Sequence, residues 1–198
     1  MPCADPVKTL GDVFRCRDRR RPIAGDAEVR LQGWEEFDEP VDRIVSIGAF
    51  EHFRRQRYDA FFERCRSILP DDGRMLLHSI TTYTREDLQH MGIAVTREDA
   101  LFLRFIMREI FPGGQLPLRE MVTQTGRKHG FWIQKIESLQ PHYAHTLDHW
   151  AASLSDHREQ AIALASAETY EKYMKYLTGC ARNFRRGLID VQQFTMIK

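Results

Sequence analysis

VDRIVSIGAFEHF, residues 41–53, decides how this chain folds. Ile44, Val45, Ser46, Ile47 and Gly48 form a short, β-prone, mostly apolar run that reads as a buried strand. The acidic turn Phe37-Asp38-Glu39-Pro40 precedes it, and a carboxylate–histidine–aromatic group, Glu51, His52 and Phe53, follows. Ligands of open α/β sheets bind where strands end, so chemistry is expected here. No glycine-rich strand-to-helix turn stands in front of the run.

Working outward, residues 57–69 place Tyr58, Phe61, Phe62, Cys65, Ile68 and Leu69 at helical spacing. Pro70-Asp71-Asp72-Gly73 stops that helix, and RMLLHSI, residues 74–80, is a second buried strand with a histidine near its end. Strand, helix, strand with short turns is a βαβ unit, which implies parallel strands. Upstream, EVRLQ at residues 28–32 alternates like a strand. Downstream, residues 96–110 form a helix capped by Thr96, with Glu98 and Asp99 in its first turn. Helices are expected over 119–128, 147–156 and 158–179, and strands over 131–139 and 187–197.

Composition excludes several classes. The 198 residues carry Lys+Arg 29 against Asp+Glu 28, a formal net charge of +1, which argues against bulk electrostatic binding of nucleic acid. No run approaches the roughly 18 apolar residues of a membrane span, and the N-terminus shows no secretory h-region. Cys3, Cys16, Cys65 and Cys180 form neither a C-x-x-C pair nor a zinc-like spacing with histidine, so no metal site is expected. Reduced thiols and a cytoplasmic location follow. Residues 1–26 have poor apolar periodicity and a basic stretch, RCRDRRR. They read as a solvated, disordered leader, with a contact to an anionic surface as the alternative.

Several segments in order, GWEEFDEPVDRIVSIGAFEHF, RYDAFFERCRSILPDDGRMLLHSI, REIFPGGQLP, SLQPHYAHTLDHW and YEKYMKYLTGCARNFRRG, resemble the mycobacterial mycolic acid cyclopropane synthases and methyltransferases. These belong to the cyclopropane fatty acid synthase group of S-adenosylmethionine enzymes. The resemblance runs from about residue 27 to the last residue and implies a class I methyltransferase fold, a mostly parallel α/β sheet with a helical lid. It implies a cytoplasmic enzyme that methylates the double bond of a long mycolic acyl chain, forming a cyclopropane or a methyl branch, with the acyl group on a carrier protein.

By the same resemblance, Gly33, Trp34 and Glu35 match the adenine-contacting loop, and Ile47 and Gly48 the floor of the cofactor site. Glu51, His78 and Tyr143 match side chains that hold a bicarbonate acting as base, and Cys180 matches a thiol near the reaction centre. An alkene is a weak nucleophile; attack on a sulfonium methyl leaves a carbocation, and loss of a proton closes the ring, so a base must be held beside the new methyl. Taken singly, these residue types are more often structural. Trp34 reads equally as an ordinary packed aromatic, and Cys180 as a small buried hydrophobe. Phe102, Phe105, Met107, Phe111, Trp150, Tyr170, Tyr173, Met174 and Tyr176 either line an acyl tunnel or form helical core. Arg182, Arg185 and Arg186 are candidates to face an acidic carrier.

The family's first two strands, with the acidic-Gly-x-Gly-x-Gly loop and the ribose-binding carboxylate, have no counterpart here. In the family sheet they lie between the strand matched by residues 28–32 and that matched by 43–47. The first should therefore lack a neighbour and the second expose an edge. An inactive remnant that binds only a partner is the alternative function.

Overall fold

The computed structural model describes residues 28–198. The basic stretch and the leader expected over residues 1–26 lie outside the described residues. The chain divides into two units, Met1–Asp38 and Glu39–Lys198.

Of the first unit, residues 28–38 are described, and they hold one tight turn over Trp34, Glu35 and Glu36. The strand expected over 28–32 is not formed; Val29 and Leu31 are exposed instead. Alternating side chains become a strand only when a neighbour accepts the backbone hydrogen bonds, and among the described residues no strand pairs with these.

The second unit is built on a four-stranded mixed sheet in the order β1-β2-β4-β3. The strands are β1 (Arg43–Ile47), β2 (Arg74–Thr82), β3 (Trp132–Ser138) and β4 (Ile189–Ile197). Helix α1 (Tyr58–Ile68) joins β1 to β2, and these two are parallel as the βαβ pattern requires. β4 runs antiparallel to both β2 and β3, so the last strand in sequence sits inside the sheet. Among the described residues β1 pairs on one side only, and Val45 and Ile47 on it are 63% and 65% exposed.

Local chemistry sets most element ends. α1 buries Tyr58, Phe61, Phe62 and Cys65, one apolar stripe at i, i+3, i+4 and i+7, and the Pro70–Gly73 turn closes behind it. The short α2 (Arg85–His90) and the longer α3 (Arg97–Phe105) each begin with a reciprocal capping box, Thr84 with Asp87 and Thr96 with Asp99. The helix expected over 96–110 widens at its end into a π-turn, Ile106–Ile110, closed by the Phe111 N–H on the Ile106 carbonyl at 2.9 Å. α4 (Arg119–Lys128) and α5 (Gln140–Asp156) follow. α5 starts seven residues before the expected 147, because Pro141 in its first turn has no hydrogen bond to lose there. The helix expected over 158–179 is two, α6 (Arg158–Leu164) and α7 (Ala167–Arg185). Ser166 breaks it by accepting from the Thr169 N–H at 3.0 Å as an N-cap.

The core has two parts. Ala144, Leu147 and Ala151 of α5 pack with Leu177, Ala181 and Phe184 of α7 and Val191 of β4. An aromatic group of Phe50, Tyr58, Phe61, Phe62 and Phe131 forms the other.

Candidate functional site

β1 and β2 end together, with Ile47 opposite His78 in the ladder. Beyond Ile47 the chain turns at Gly48, whose N–H donates to the His78 carbonyl at 3.0 Å. Gly48 has φ +64°, a left-handed conformation that disfavours any side chain. A Cβ built on it would meet nothing within 4 Å, so its backbone borders open space. A single turn, Phe50–His52, then sends neighbouring side chains in different directions. Phe50 is wholly buried and stacks on Tyr58 at 4.2 Å, and this anchors the turn.

Glu51, only 7% exposed, is held against β2 by both carboxylate oxygens. Ser79 Oγ donates to Oε2 at 3.1 Å, and the Ile80 N–H donates to Oε1 at 3.0 Å. The backbone of the same residue accepts from the Gln115 N–H at 3.4 Å. A buried carboxylate is costly unless its lone pairs are met, and here donors are supplied to each oxygen.

Tyr143 projects from α5 and is half-buried, edge-on to Phe184 at 5.0 Å and to Trp150 at 6.2 Å. Burial raises its hydroxyl above the ordinary phenol range, and the nearby charges of Glu51 and Cys180 add to this. Cys180 on α7 is pushed up to about 12 by burial alone. Tyr176, one turn earlier, is likewise raised, by burial first and then by Cys180 and Tyr143. Glu51, Tyr143 and Cys180 therefore share one electrostatic neighbourhood. His78 lies on the face of β2 that it shares with Ile80, and Ile80 packs on the α5–α7 cluster that includes Tyr143 and Cys180. Its Nδ1 is 3.2 Å from Gln193 Nε2.

Gly33, Trp34 and Glu35 belong to the first unit. The Glu36 N–H closes the turn on the Gly33 carbonyl at 3.1 Å, and a Cβ at Gly33 would come within 2.5 Å of the Glu35 carboxylate. Both Trp34 and Glu35 are half-buried.

The aromatic residues of the back half divide. Phe102 and Tyr170 are buried core, whereas Met107, Phe111, Trp150 and Tyr173 are between 39% and 49% exposed. A ladder of rings leads away from the Glu51 turn, His52 to Phe111 at 5.7 Å, Phe111 to Tyr176 at 5.8 Å, and Tyr176 to Tyr173 at 6.2 Å. Each arginine of the cluster is ion-paired to a carboxylate of the fold while its side chain stays part-exposed. Arg182 pairs with Glu98, Arg185 with Asp148, and Arg186 with Asp99 and the Ala94 carbonyl. These pairs tie α7 to α3 and α5. Among the described residues no group of three or more His, Cys, Asp or Glu is placed to hold a metal ion, and no helix is long and apolar enough to cross a membrane.

Sequence reasoning passed over Ser79, the Ile80 amide, Gln193 and the Phe111–Tyr176 contact. Ser79 could have been found as the polar residue beside His78 in an apolar strand. Gln193 had no local signal.

The profile described as mycolic acid cyclopropane synthetase matches residues 15–194. The chain belongs to that family. The chain is 57% identical over 191 residues to the cyclopropane mycolic acid synthase MmaA2 of Mycobacterium tuberculosis, covering 96% of itself and 64% of that relative. To the S-adenosylmethionine-dependent methyltransferase UmaA of the same organism it is 55% identical over 177 residues, 89% of this chain and 62% of UmaA. It thus spans less than two thirds of the length of these relatives. The crystal structure of the mycolic acid cyclopropane synthase CmaA1 complexed with SAH and CTAB superposes with a TM-score of 0.81 at 57% identity, over 85% of this chain and 59% of that one. Phosphoethanolamine N-methyltransferase 2 of Haemonchus contortus, at 15% identity and a TM-score of 0.65 over 84% of this chain and 36% of that one, shares the fold alone. The second unit is accordingly an α/β fold of the class I S-adenosylmethionine methyltransferases.

Proposed function

We propose that this chain takes part in S-adenosylmethionine-dependent methyl transfer to the double bond of a long mycolic acyl chain, forming a cyclopropane or a methyl branch. The observation that carries the proposal is Glu51. It is a buried carboxylate fixed at the end of a parallel strand pair, with donors on both oxygens and Tyr143 near enough to feel its charge.

The open space at Gly48 fits a ligand that approaches the backbone closely, and Ile47 and Gly48 would form its floor. Within the first unit, Trp34 and Glu35, in the turn that Gly33 opens, are the residues proposed by family resemblance for adenine contact. The sulfonium of bound S-adenosylmethionine supplies an electrophilic methyl. Glu51, His78 and Tyr143 would hold a bicarbonate, which supplies a base. The residues of this chain orient and exclude water. Glu51 is an immobile acceptor because two strand donors fix it. The raised pKa of Tyr143 keeps its hydroxyl protonated at neutral pH, so it can donate. Cys180, at about 12, stays a neutral thiol and lines the site without acting as a nucleophile. Apolar and aromatic walls along the His52–Phe111–Tyr176 ladder would shield a carbocation from water. CTAB in the CmaA1 complex is a long-chain amphiphile, which supports an apolar acyl path in the family. The acyl chain would arrive on an acyl carrier protein, with the part-exposed Arg182, Arg185 and Arg186 as the candidate docking charges.

Two measurements on the 198-residue chain test this. S-adenosylhomocysteine at a hundredfold over its Kd should add about 2.7 kcal/mol of stability. Methyl-labelled S-adenosylmethionine should label an unsaturated long-chain acyl lipid, and Glu51→Gln should abolish the labelling. A cooperative melt without a shift, or unchanged turnover in Glu51→Gln, overturns the proposal.

A further inference from the structure

Gln193 and Gln192 are adjacent on β4, and alternation sends them to opposite faces of the sheet. Gln192 is only 2% exposed and fully occupied. Thr81 Oγ1 donates to its Oε1 at 3.2 Å, and its own Nε2 donates to Asp190 Oδ2 at 3.1 Å. Gln193 is half-buried and stands directly opposite His78 in the β2–β4 ladder, with its Nε2 3.2 Å from His78 Nδ1.

We infer that Gln193 is a positioning residue that fixes the proton of His78 on Nε2 and so makes this histidine a hydrogen-bond donor toward the reaction centre. The inference rests on the role proposed above for His78. An amide NH2 only donates, so the ring nitrogen it faces must offer a lone pair. In a neutral imidazole the single proton is then on the other nitrogen. The backbone of His78 is held from both sides, by the Gly48 N–H on its carbonyl and by pairing with β4. The ring is therefore tethered at its backbone and at Nδ1, and Nε2–H is the group left to meet a ligand. A centre that holds an anion needs donors, and the Glu51 carboxylate is not one. Gln193 would thus supply the polarity that Glu51 lacks, without touching substrate. The opposite amide orientation would place Oε1 against an Nδ1–H and turn Nε2 into an acceptor, which would defeat this role.

Long-range proton–nitrogen correlation spectra of the nitrogen-15-labelled 198-residue chain decide between the two. They are recorded without substrate above the ordinary histidine range, with the His78 signal assigned by its loss in His78→Gln. The expected wild-type pattern is the Nε2–H tautomer. In Gln193→Glu the new carboxylate accepts only, so the proton should move to Nδ1. Gln193→Met, similar in size but without polar atoms, should give a mixture of both. With labelled S-adenosylmethionine and an acyl substrate, Gln193→Glu should lower kcat about 10- to 100-fold, a range typical of groups that orient a ligand-holding imidazole. KM for the acyl chain should hold. An Nδ1–H tautomer in the wild type overturns the inference without recourse to any variant. So does a tautomer that ignores both substitutions. An Nε2–H pattern that switches as expected, in a wild-type chain that transfers no methyl group, upholds the Gln193–His78 coupling and overturns the reaction proposed above instead.

Discussion

Gly179 lies inside α7, where glycine is a poor helix former, and its replacement by alanine should still destabilise the protein. A Cβ at this position would come within 2.1 Å of Phe102 Cε2, 2.4 Å of Cζ and 2.9 Å of Cδ2. All three atoms belong to one ring on α3, and that ring is only 7% exposed. The backbone term favours alanine by about 0.8–1.0 kcal/mol. Against it stands the displacement of a packed aromatic ring, about 1–3 kcal/mol for overpacking. The difference is a net loss of about 0–2 kcal/mol, read from urea unfolding midpoints at constant slope. The sharper readout is a change of sign. Phe102→Ala alone should cost about 3–5 kcal/mol. In that background nothing opposes the new methyl, so Gly179→Ala should stabilise by about 1 kcal/mol. The two substitutions should thus couple by about 1–3 kcal/mol in a double-mutant cycle. If Gly179→Ala stabilises by the same amount in both backgrounds, the ring is not where the structure puts it. The consequence reaches the site, because Tyr176 and Cys180 ride on the same helix as Gly179.

Three further outcomes follow from single features. Burial by itself would raise the Asp99 carboxyl, but the hydrogen bonds from Thr96 and Arg186 outweigh it and hold the pKa below the ordinary carboxylate value. The stability this provides is present above the unfolded-state pKa near 3.9 and is lost as pH falls through the lower folded value. Asp99→Asn should therefore cost about 1.5–3 kcal/mol at pH 7 and flatten the acid limb of the stability–pH curve; an unchanged acid limb would refute the assignment. Burial sets Cys65 and Cys180 at about 12, so at pH 8 their thiolate fractions lie roughly three orders of magnitude below that of an ordinary thiol. Peptide mapping after iodoacetamide should find both unlabelled until urea unfolds the chain, and rapid native labelling of the part-buried Cys180 would contradict its raised pKa. Val45 and Ile47 on strand β1, which pairs on one side only among the described residues, should drive association, so Val45→Lys should lower the sedimenting fraction at high concentration without lowering the melting midpoint; an unchanged fraction would show that this edge is not the contact.

What was legible in the sequence was local. The β1–α1–β2 unit follows from one apolar stripe and one proline–glycine turn, and its parallel pairing is forced by the crossover. The Thr96 cap was equally visible, since a capping box needs only residues three apart. Elements whose existence depends on a distant neighbour were not. Residues 28–32 alternate well but have no paired strand among the described residues, and alternation supplies no hydrogen bonds. Arg182, Arg185 and Arg186 look like a free basic patch in the linear chain, yet each finds its carboxylate 37 to 87 residues away, on α3 or α5.

The same division runs through the site. Glu51 stands out in the sequence because it follows a strand end, and that is a local fact. The two groups that aim it, Ser79 and the Ile80 amide, sit 28 and 29 residues further on. They face it only because β2 pairs with β1 in one register. A slip of one residue would turn the whole β2 side-chain set over, carrying His78 away from the α5–α7 layer and Ser79 towards it. The place of the candidate carboxylate is thus written at a strand end, but its aim is written in the register. His78 carries this furthest: its own strand places the ring, while the partner that selects its protonated nitrogen comes from β4, the last strand to be made. That strand enters the sheet between β2 and β3, antiparallel to both, by a pairing that no short-range pattern encodes.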